Sequence, residues 1–199
     1  MLVQTRLGTH TQFMESLSPS EARAYLKAFD RWLMGENPRA TDQDYYWRSV
    51  LRGCFFPNRK REEADLKRAA TLAPDNVDVW VSLGHMAAER KRWAEAVEYY
   101  EAGIAAMPDN FFPWYGRAMA YQALGRYDEA LEDINTAIAI HPDLAYGYET
   151  RGRIHDELGM LEKAADLDFA ARCSAATPST QRYRDELRRR LRRKRSLDW

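Results

Sequence analysis

The sequence predicts an all-α fold, an α-solenoid in which stacked helix hairpins form a right-handed superhelix. The first observation is a repeat: PDNVDVW at residue 74 returns as PDNFFPW and then as PDLAYGY at intervals of 34 residues. Self-similarity at a period of about 20 to 50 residues is typical of repeat arrays. The second is helical spacing of the apolar side chains within each period. The third is composition, because 45% apolar and 30% charged residues are typical of an ordered helical protein.

Each period contains two amphipathic stripes. At spacings of i, i+3, i+4 and i+7, the first stripe consists of Trp80, Leu83, Gly84 and Ala87. The second stripe consists of Ala96, Tyr100, Gly103 and Met107. Short turns separate the stripes, and Gly125 and Gly159 suit the left-handed residue that often ends a helix. Each period is therefore predicted to be a helix hairpin, in which a Pro ends the second helix and the following Asp-Asn caps the next.

The recurring columns resemble the tetratricopeptide repeat (TPR). A bulky aromatic at 80, 114 and 148, a small residue four positions later and an alanine at 96, 130 and 164 recur together. The resemblance implies three repeats, at 77–110, 111–144 and 145–178, in a non-catalytic scaffold for protein–protein interaction. The sequence departs from the family pattern at Arg117, where leucine is usual, and at Asp168, where a large apolar residue is usual.

The flanking segments are predicted to extend and close the solenoid. Residues 43–76 repeat the pattern less cleanly, so a degenerate repeat with a shortened second helix is expected and its register stays open. The N-terminal segment 1–42 contains Ser-Pro-Ser-Glu at residue 18, which predicts a capping box and a capping helix. Residues 179–199 are predicted to form a basic C-terminal capping helix and tail.

The sequence contains no pattern typical of an enzyme or a metal site. His10, His85, His141 and His155 lack metal-ligand spacing, and Cys54 and Cys173 are expected to be reduced, buried thiols. A Gly-rich phosphate loop and a nucleophile turn are both missing. We therefore predict no catalysis, no metal and no cofactor. Because the sequence has neither a signal-peptide core nor a membrane-spanning apolar run, a cytoplasmic protein is expected.

The first helix of each repeat is predicted to line a concave groove. Once the Trp80 stripe packs inside the stack, the neighbouring stripe of the same helix faces the groove. The predicted groove residues are Val81, His85, Phe112, Tyr115, Met119, Gln122, Tyr146, Glu149 and Arg153. An apolar centre with charges at one end indicates binding of a peptide or helix from a partner protein. Two alternatives stay open: Phe112 and Tyr146 pack into the core, or the chain's own C-terminal segment occupies the groove.

The resemblance does not extend to TPR proteins that bind chaperone tails. Those proteins use a two-carboxylate clamp of Lys, Asn and Arg in the groove. The matching places here hold Val81, His85, Gly116, Tyr146 and Thr150. The architecture is also similar to small bacterial TPR chaperones for secreted proteins, which implies an adaptor that is chaperone-like.

Charge is distributed unevenly along the chain and predicts an alternative function. The formal net charge is zero, but residues 182–195 contain nine Lys or Arg. The candidate residues of this basic tail are Arg188, Arg189, Arg192, Arg193 and Arg195. Such a run can bind a nucleic acid or an anionic membrane through electrostatics. It can also be a solubilising cap that lies against the acidic body of the chain or an acidic partner.

Overall fold

The computed structural model describes residues 17–33, 40–55, 59–143 and 145–160, and seven further residues: Arg182, Asp185, Glu186, Arg189, Arg190, Arg192 and Arg193. All regular structure in this part of the chain is helical, which confirms the predicted all-α class. The first four helices are α1 (Pro19–Leu33), α2 (Asp42–Phe55), α3 (Arg59–Leu72) and α4 (Val77–Glu89). The next four are α5 (Trp93–Ala106), α6 (Phe111–Ala123), α7 (Tyr127–Ile140) and α8 (Ala145–Glu157).

The chain divides into two compact units, Met1–Val79 and Trp80–Trp199, which we call the N-terminal unit and the C-terminal unit. In the N-terminal unit α1 packs on α2, and α2 packs on α3. Its buried apolar side chains are Ala22, Leu26, Leu33, Leu51, Leu66, Ala69, Ala70, Val77 and Val79. The predicted capping box is present, since the Ser18 backbone N–H donates to Glu21 Oε2 at 2.8 Å.

Four charged side chains also join the three helices of the N-terminal unit. Arg48 donates from Nε to Asp65 Oδ2 at 2.9 Å and from Nη1 to Asp30 Oδ1 at 3.2 Å. Arg52 donates to Asp30 Oδ1 at 2.6 Å and also to Asp65. Burial raises the pKa of Asp65, although both guanidinium groups act in the opposite direction. The arrangement is a closed ion network that links α1 to the α2–α3 hairpin.

The helices of residues 43–76 follow the same 34-residue register as those of the next repeat. When the bounds of α4 and α5 are shifted back by one 34-residue period, they give 43–55 and 59–72, so α3 has its full length of 14 residues. The predicted shortening of the second helix is therefore wrong. Glu62 and Asp65 stand where the next repeat has Ala96 and Tyr99, and these charges obscure the apolar pattern.

The C-terminal unit consists of alternating first and second helices, with α5 packed on α6 and α6 packed on α7. Tyr100 is 2% exposed and belongs to a core cluster with Ala87, Ala96 and Ala120. A second cluster contains Ala118, Ile134 and Ile138, with Tyr115, Leu131 and Tyr148 packed against it. Two of the small residues that align between repeats, Ala96 and Ala118, are therefore fully buried within these clusters.

The connections follow the predicted turn chemistry. Asn110 caps α6 by accepting a hydrogen bond from the Phe112 N–H at 2.9 Å. Gly125 and Gly159 adopt the left-handed conformation predicted for these helix ends, with φ of 74° and 72°. Lys91 occupies the equivalent place one period earlier and adopts the same left-handed region at φ 58°.

One expectation about the cysteines is wrong, and others lie outside the described residues. Cys54 is exposed near the end of α2, because it lies off the stripe that packs against α1 and α3. Cys173 and Asp168 lie outside the described residues, as do residues 161–178, where the second helix of the repeat 145–178 is expected.

Candidate functional site

The predicted groove residues all lie in the C-terminal unit, on the first helices α4, α6 and α8. The large apolar side chains among them are exposed: Phe112 by 50%, Met119 by 46% and Tyr146 by 40%. His85 and Arg153 are also exposed, whereas Val81, Tyr115, Gln122 and Glu149 are partly buried. Because Phe112 and Tyr146 are exposed, the alternative that they are simply core residues does not hold.

Four side chains form what we call the aromatic–methionine patch: Phe112, Tyr115, Met119 and Tyr146. The first three follow one another at i, i+3 and i+7 on α6 and therefore share a helix face. Tyr146 joins them from α8, with its ring centroid 4.8 Å from that of Tyr115 in an edge-to-face contact. Val81 and His85 lie on α4, one hairpin earlier.

Tyr115 forms the floor of the patch. Its ring packs against the cluster of Ala118, Ile134 and Ile138, and its hydroxyl shares a hydrogen bond with Thr150, which is buried. Burial raises the pKa of Tyr115, so the phenol stays neutral at ordinary pH. The exposed parts of the patch are therefore contributed by Phe112, Met119 and Tyr146.

Sequence reasoning missed Phe111. Its ring stacks on Phe112 with centroids 4.2 Å apart, lies 4.9 Å from the His141 ring and approaches Tyr146 at 6.5 Å. The equivalent places in the neighbouring repeats hold the much smaller Val77 and Ala145. This difference in size is the feature of the sequence that could have identified Phe111. In the structure its ring stacks against that of Phe112.

Polar contacts at the far end of α8 define a charged rim beside the patch. Arg153 donates to Glu149 at 2.6 Å, and Gln122 on α6 donates to Glu157 at 3.2 Å. Arg190 of the C-terminal segment pairs with Asp156 at 2.9 Å. The rim therefore connects α6, α8 and the C-terminal segment.

The described residues of the basic tail are exposed. They include Arg189, Arg192 and Arg193 of the candidate residues, whereas Arg188 and Arg195 lie outside the described residues. The Arg190–Asp156 pair places this segment at the rim. The two residues are 34 positions apart in the sequence, which is one period of the repeat. The described contact is with the rim and not with the patch.

A depression of about 340 Å³ in the N-terminal unit is lined by Asp30, Arg48, Arg52, Arg61, Ala64 and Asp65. Its walls are therefore largely the side chains of the closed ion network. Within the ranges described above, no group of three or more His, Cys, Asp or Glu side chains could hold a metal ion. None of the described helices is long and apolar enough to cross a bilayer.

Comparison with known proteins identifies the kind of repeat that the chain contains. Tetratricopeptide-repeat family models match residues 63–111 and 112–144. Among curated proteins, none has a significantly similar sequence.

Three solved structures illustrate the similarity in fold. The Arabidopsis OM64 TPR domain is 24% identical with a TM-score of 0.56, over 59% of this chain and 98% of that domain. MamA from Desulfovibrio magneticus RS-1 is 16% identical with a TM-score of 0.69, over 84% of this chain and 92% of that one. The first TPR of Spaghetti (RPAP3), solved with the HSP90 peptide SRMEEVD, is 24% identical with a TM-score of 0.55, over 58% and 92%.

At these identities the similarity concerns the fold and not the ligand. The family is generally a non-catalytic protein-interaction fold. The 34-residue helix hairpins and the family matches show that residues 63–144 of this chain are tetratricopeptide repeats, and the chain has an all-α solenoid fold.

Proposed function

We propose that this protein is a scaffold or adaptor whose C-terminal unit binds a peptide or helical segment of a partner protein on the aromatic–methionine patch. The observation that carries the proposal is the exposure of Phe112, Met119 and Tyr146 on one surface of α6 and α8. Large apolar side chains grouped on a soluble domain are typical of interaction sites, and aromatic residues and methionine are enriched there.

The patch suits a segment with a few apolar anchors. Tyr115 contacts the Tyr146 ring and Phe111 contacts the Phe112 ring. The positions of the two exposed rings are therefore largely fixed before binding, which limits the entropy lost on association. Met119 has an unbranched side chain that can adapt to different anchor shapes. Glu149, Arg153 and Gln122 at the rim would orient the segment through polar contacts, and Val81 and His85 would extend the surface along α4.

We assign the repeats of this scaffold as 43–76, 77–110, 111–144 and 145–178, with 1–42 and 179–199 as flanking segments. The first TPR of RPAP3 was solved with an HSP90 peptide. In this chain Val81, His85, Gly116, Tyr146 and Thr150 occupy the clamp places named above. We therefore propose anchoring by apolar side chains of the partner segment. A chaperone-like role would follow if the captured segment is aggregation-prone when unbound.

The test is selection of displayed peptides on the full-length chain, followed by fluorescence anisotropy with the enriched peptides. Replacing both exposed anchors, Phe112→Glu with Met119→Glu, should weaken binding at least about tenfold, since hot-spot anchors contribute about 2 kcal/mol or more. The matched control is Leu72→Glu with Met107→Glu, whose side chains are similarly exposed, by 44% and 46%. Unchanged affinity in the patch variant, with helicity intact, would show that the ligand binds elsewhere.

A further inference from the structure

An exposed apolar face runs along α1, the first helix of the N-terminal unit. At 100° per residue, its four side chains fall within an arc of about 100°: Ala24, Tyr25, Ala28 and Trp32. All four are exposed, Tyr25 by 37% and Trp32 by 40%. A different stripe of the helix, which contains Leu26 and Leu33, is buried. We call the four exposed side chains the α1 face.

The repeat register explains why α1 carries interior-type side chains on this face. Two periods of 34 residues separate Ala28 and Trp32 from Ala96 and Tyr100 of α5, which are 0% and 2% exposed. The Tyr100 ring lies between glycines of two first helices, α4 and α6. In α1 the following first helix, α2, covers one side. The described residues begin at residue 17, so no described helix precedes α1 to cover the other side.

The charges at the two ends of the α1 face are complementary to those of a second copy. Glu21 lies in the first turn of α1 and Arg31 lies in the last turn. In an antiparallel pair of α1 helices, the register that places Glu21 opposite Arg31 of the second copy also places Ala24 opposite Ala28, because both pairs are symmetric about residue 26. Small side chains at the centre allow a short distance between the helix axes, and the antiparallel helix dipoles attract. Exposed ion pairs contribute little affinity, but they fix orientation and register.

We propose that two copies of this chain associate through the α1 face as an antiparallel pair of α1 helices. Trp32 and Tyr25 supply the apolar anchors, since aromatic side chains are enriched at interfaces and among their hot spots. With 15 residues, α1 is about 22 Å long. One pair of such helices buries less than the roughly 1,600 Å² of a standard interface, so we expect a dissociation constant in the micromolar range. The dimer would carry two aromatic–methionine patches, and its formation does not depend on a ligand there.

The first test is the oligomeric state of the full-length chain, measured by sedimentation equilibrium between about 1 and 200 μM. Wild type should pass from monomer to dimer within this range. Ala28→Glu places a charge at the centre of the α1 face and should weaken dimerisation at least about tenfold. The matched control is Ala105→Glu on α5, which also replaces an exposed alanine and should associate as wild type does. Circular dichroism checks that both variants keep their helicity.

The second test uses the two charges and distinguishes a second copy from other occupants. Glu21→Lys and Arg31→Glu each place like charges opposite one another, so each variant alone should dimerise at least about fivefold more weakly than wild type. An equimolar mixture should form heterodimers at least about fivefold more tightly than either variant alone, because opposite charges then meet at both ends. Mixing would not reverse a loss of helix stability.

Three results would overturn the proposal. Wild type that stays monomeric throughout would leave the α1 face to residues 1–16 or to another protein. A loss of affinity in Ala105→Glu as large as that in Ala28→Glu would show that added charge alone prevents association. A mixture of the two charge variants that associates no better than its components would exclude the antiparallel pair.

Discussion

Arg117 on α6 contacts Asp133 on α7 through two parallel hydrogen bonds, from Nε to Oδ2 at 2.7 Å and from Nη2 to Oδ1 at 2.8 Å. The Asp133 side chain is 5% exposed and that of Arg117 is 15% exposed. The guanidinium group also lies 5.1 Å from the centre of the Trp114 ring. One repeat earlier the equivalent two places hold Leu83 and Tyr99, so a charged pair stands here where the preceding hairpin has an uncharged one.

The first prediction concerns removal of one partner of this pair. Arg117→Leu restores the residue usual in the family, yet it should lower the free energy of unfolding by about 2 to 3 kcal/mol, because it leaves the Asp133 carboxylate buried without its cation. Adding Asp133→Tyr recreates the Leu83–Tyr99 combination and should restore stability to within about 1 kcal/mol of wild type. Urea unfolding of the wild type, the single variants and the double variant measures the coupling. Additive effects of the two substitutions would contradict it.

The second prediction concerns Tyr100, whose ring lies between two glycines. A methyl group at Gly84 would come within 2.6 Å of Tyr100 Cε1, and one at Gly116 within 2.4 Å. Alanine favours a helix by about 1 kcal/mol over glycine, but overpacking costs about 1 to 3 kcal/mol, so Gly116→Ala should be destabilising overall. Thermal unfolding monitored by circular dichroism checks this. Tyr100→Leu in the Gly116→Ala background should recover part of the loss, and a midpoint at or above wild type for Gly116→Ala alone would contradict the packing argument.

The sequence predicted the helix hairpins and their period well because the repeat constrains them locally. Small residues at Gly84 and Ala96 and aromatics such as Trp80 determine how closely two helices approach, and these columns are visible within one hairpin. The ion network of the N-terminal unit was not predictable in the same way. Asp30 lies on α1 and its partners Arg48 and Arg52 lie on α2, so the compensation of the buried charges appears only after folding.

The residues of the candidate site could be predicted from the sequence, but the difference in burial among them could not. Helical spacing alone identified the surface that contains Phe112 and Met119. It could not separate Tyr115 from them, because burial of Tyr115 depends on Tyr146 and Thr150 of the next repeat. Contacts between repeats, unlike those within a helix, depend on the angle at which hairpins stack.

The third prediction is a pH dependence at the start of α1. Hydrogen bonds from the Ser18 side chain and backbone lower the pKa of Glu21. Since the folded pKa lies below the unfolded one, about 4.3, the stabilisation is complete above the unfolded value and is lost as pH falls through the folded value. Amide protection in the first turn of α1, measured by NMR, should therefore fall at acidic pH. In Glu21→Gln, which caps without titrating, it should vary less, and identical pH profiles in the two proteins would contradict this assignment.

The last prediction separates the floor of the aromatic–methionine patch from its binding surface. The Tyr115 hydroxyl is engaged with Thr150 inside the fold, whereas Met119 is 46% exposed. Tyr115→Phe should therefore lower the free energy of unfolding by about 1 kcal/mol, through loss of one buried hydrogen bond and the unsatisfied Thr150 hydroxyl, and leave peptide affinity unchanged. Met119→Ala should do the reverse, with little effect on stability and weaker binding. Urea unfolding and anisotropy on the same samples measure both quantities. If Tyr115→Phe weakened binding without loss of stability, its hydroxyl would contact the ligand directly and the assignment of Tyr115 to the floor would be wrong.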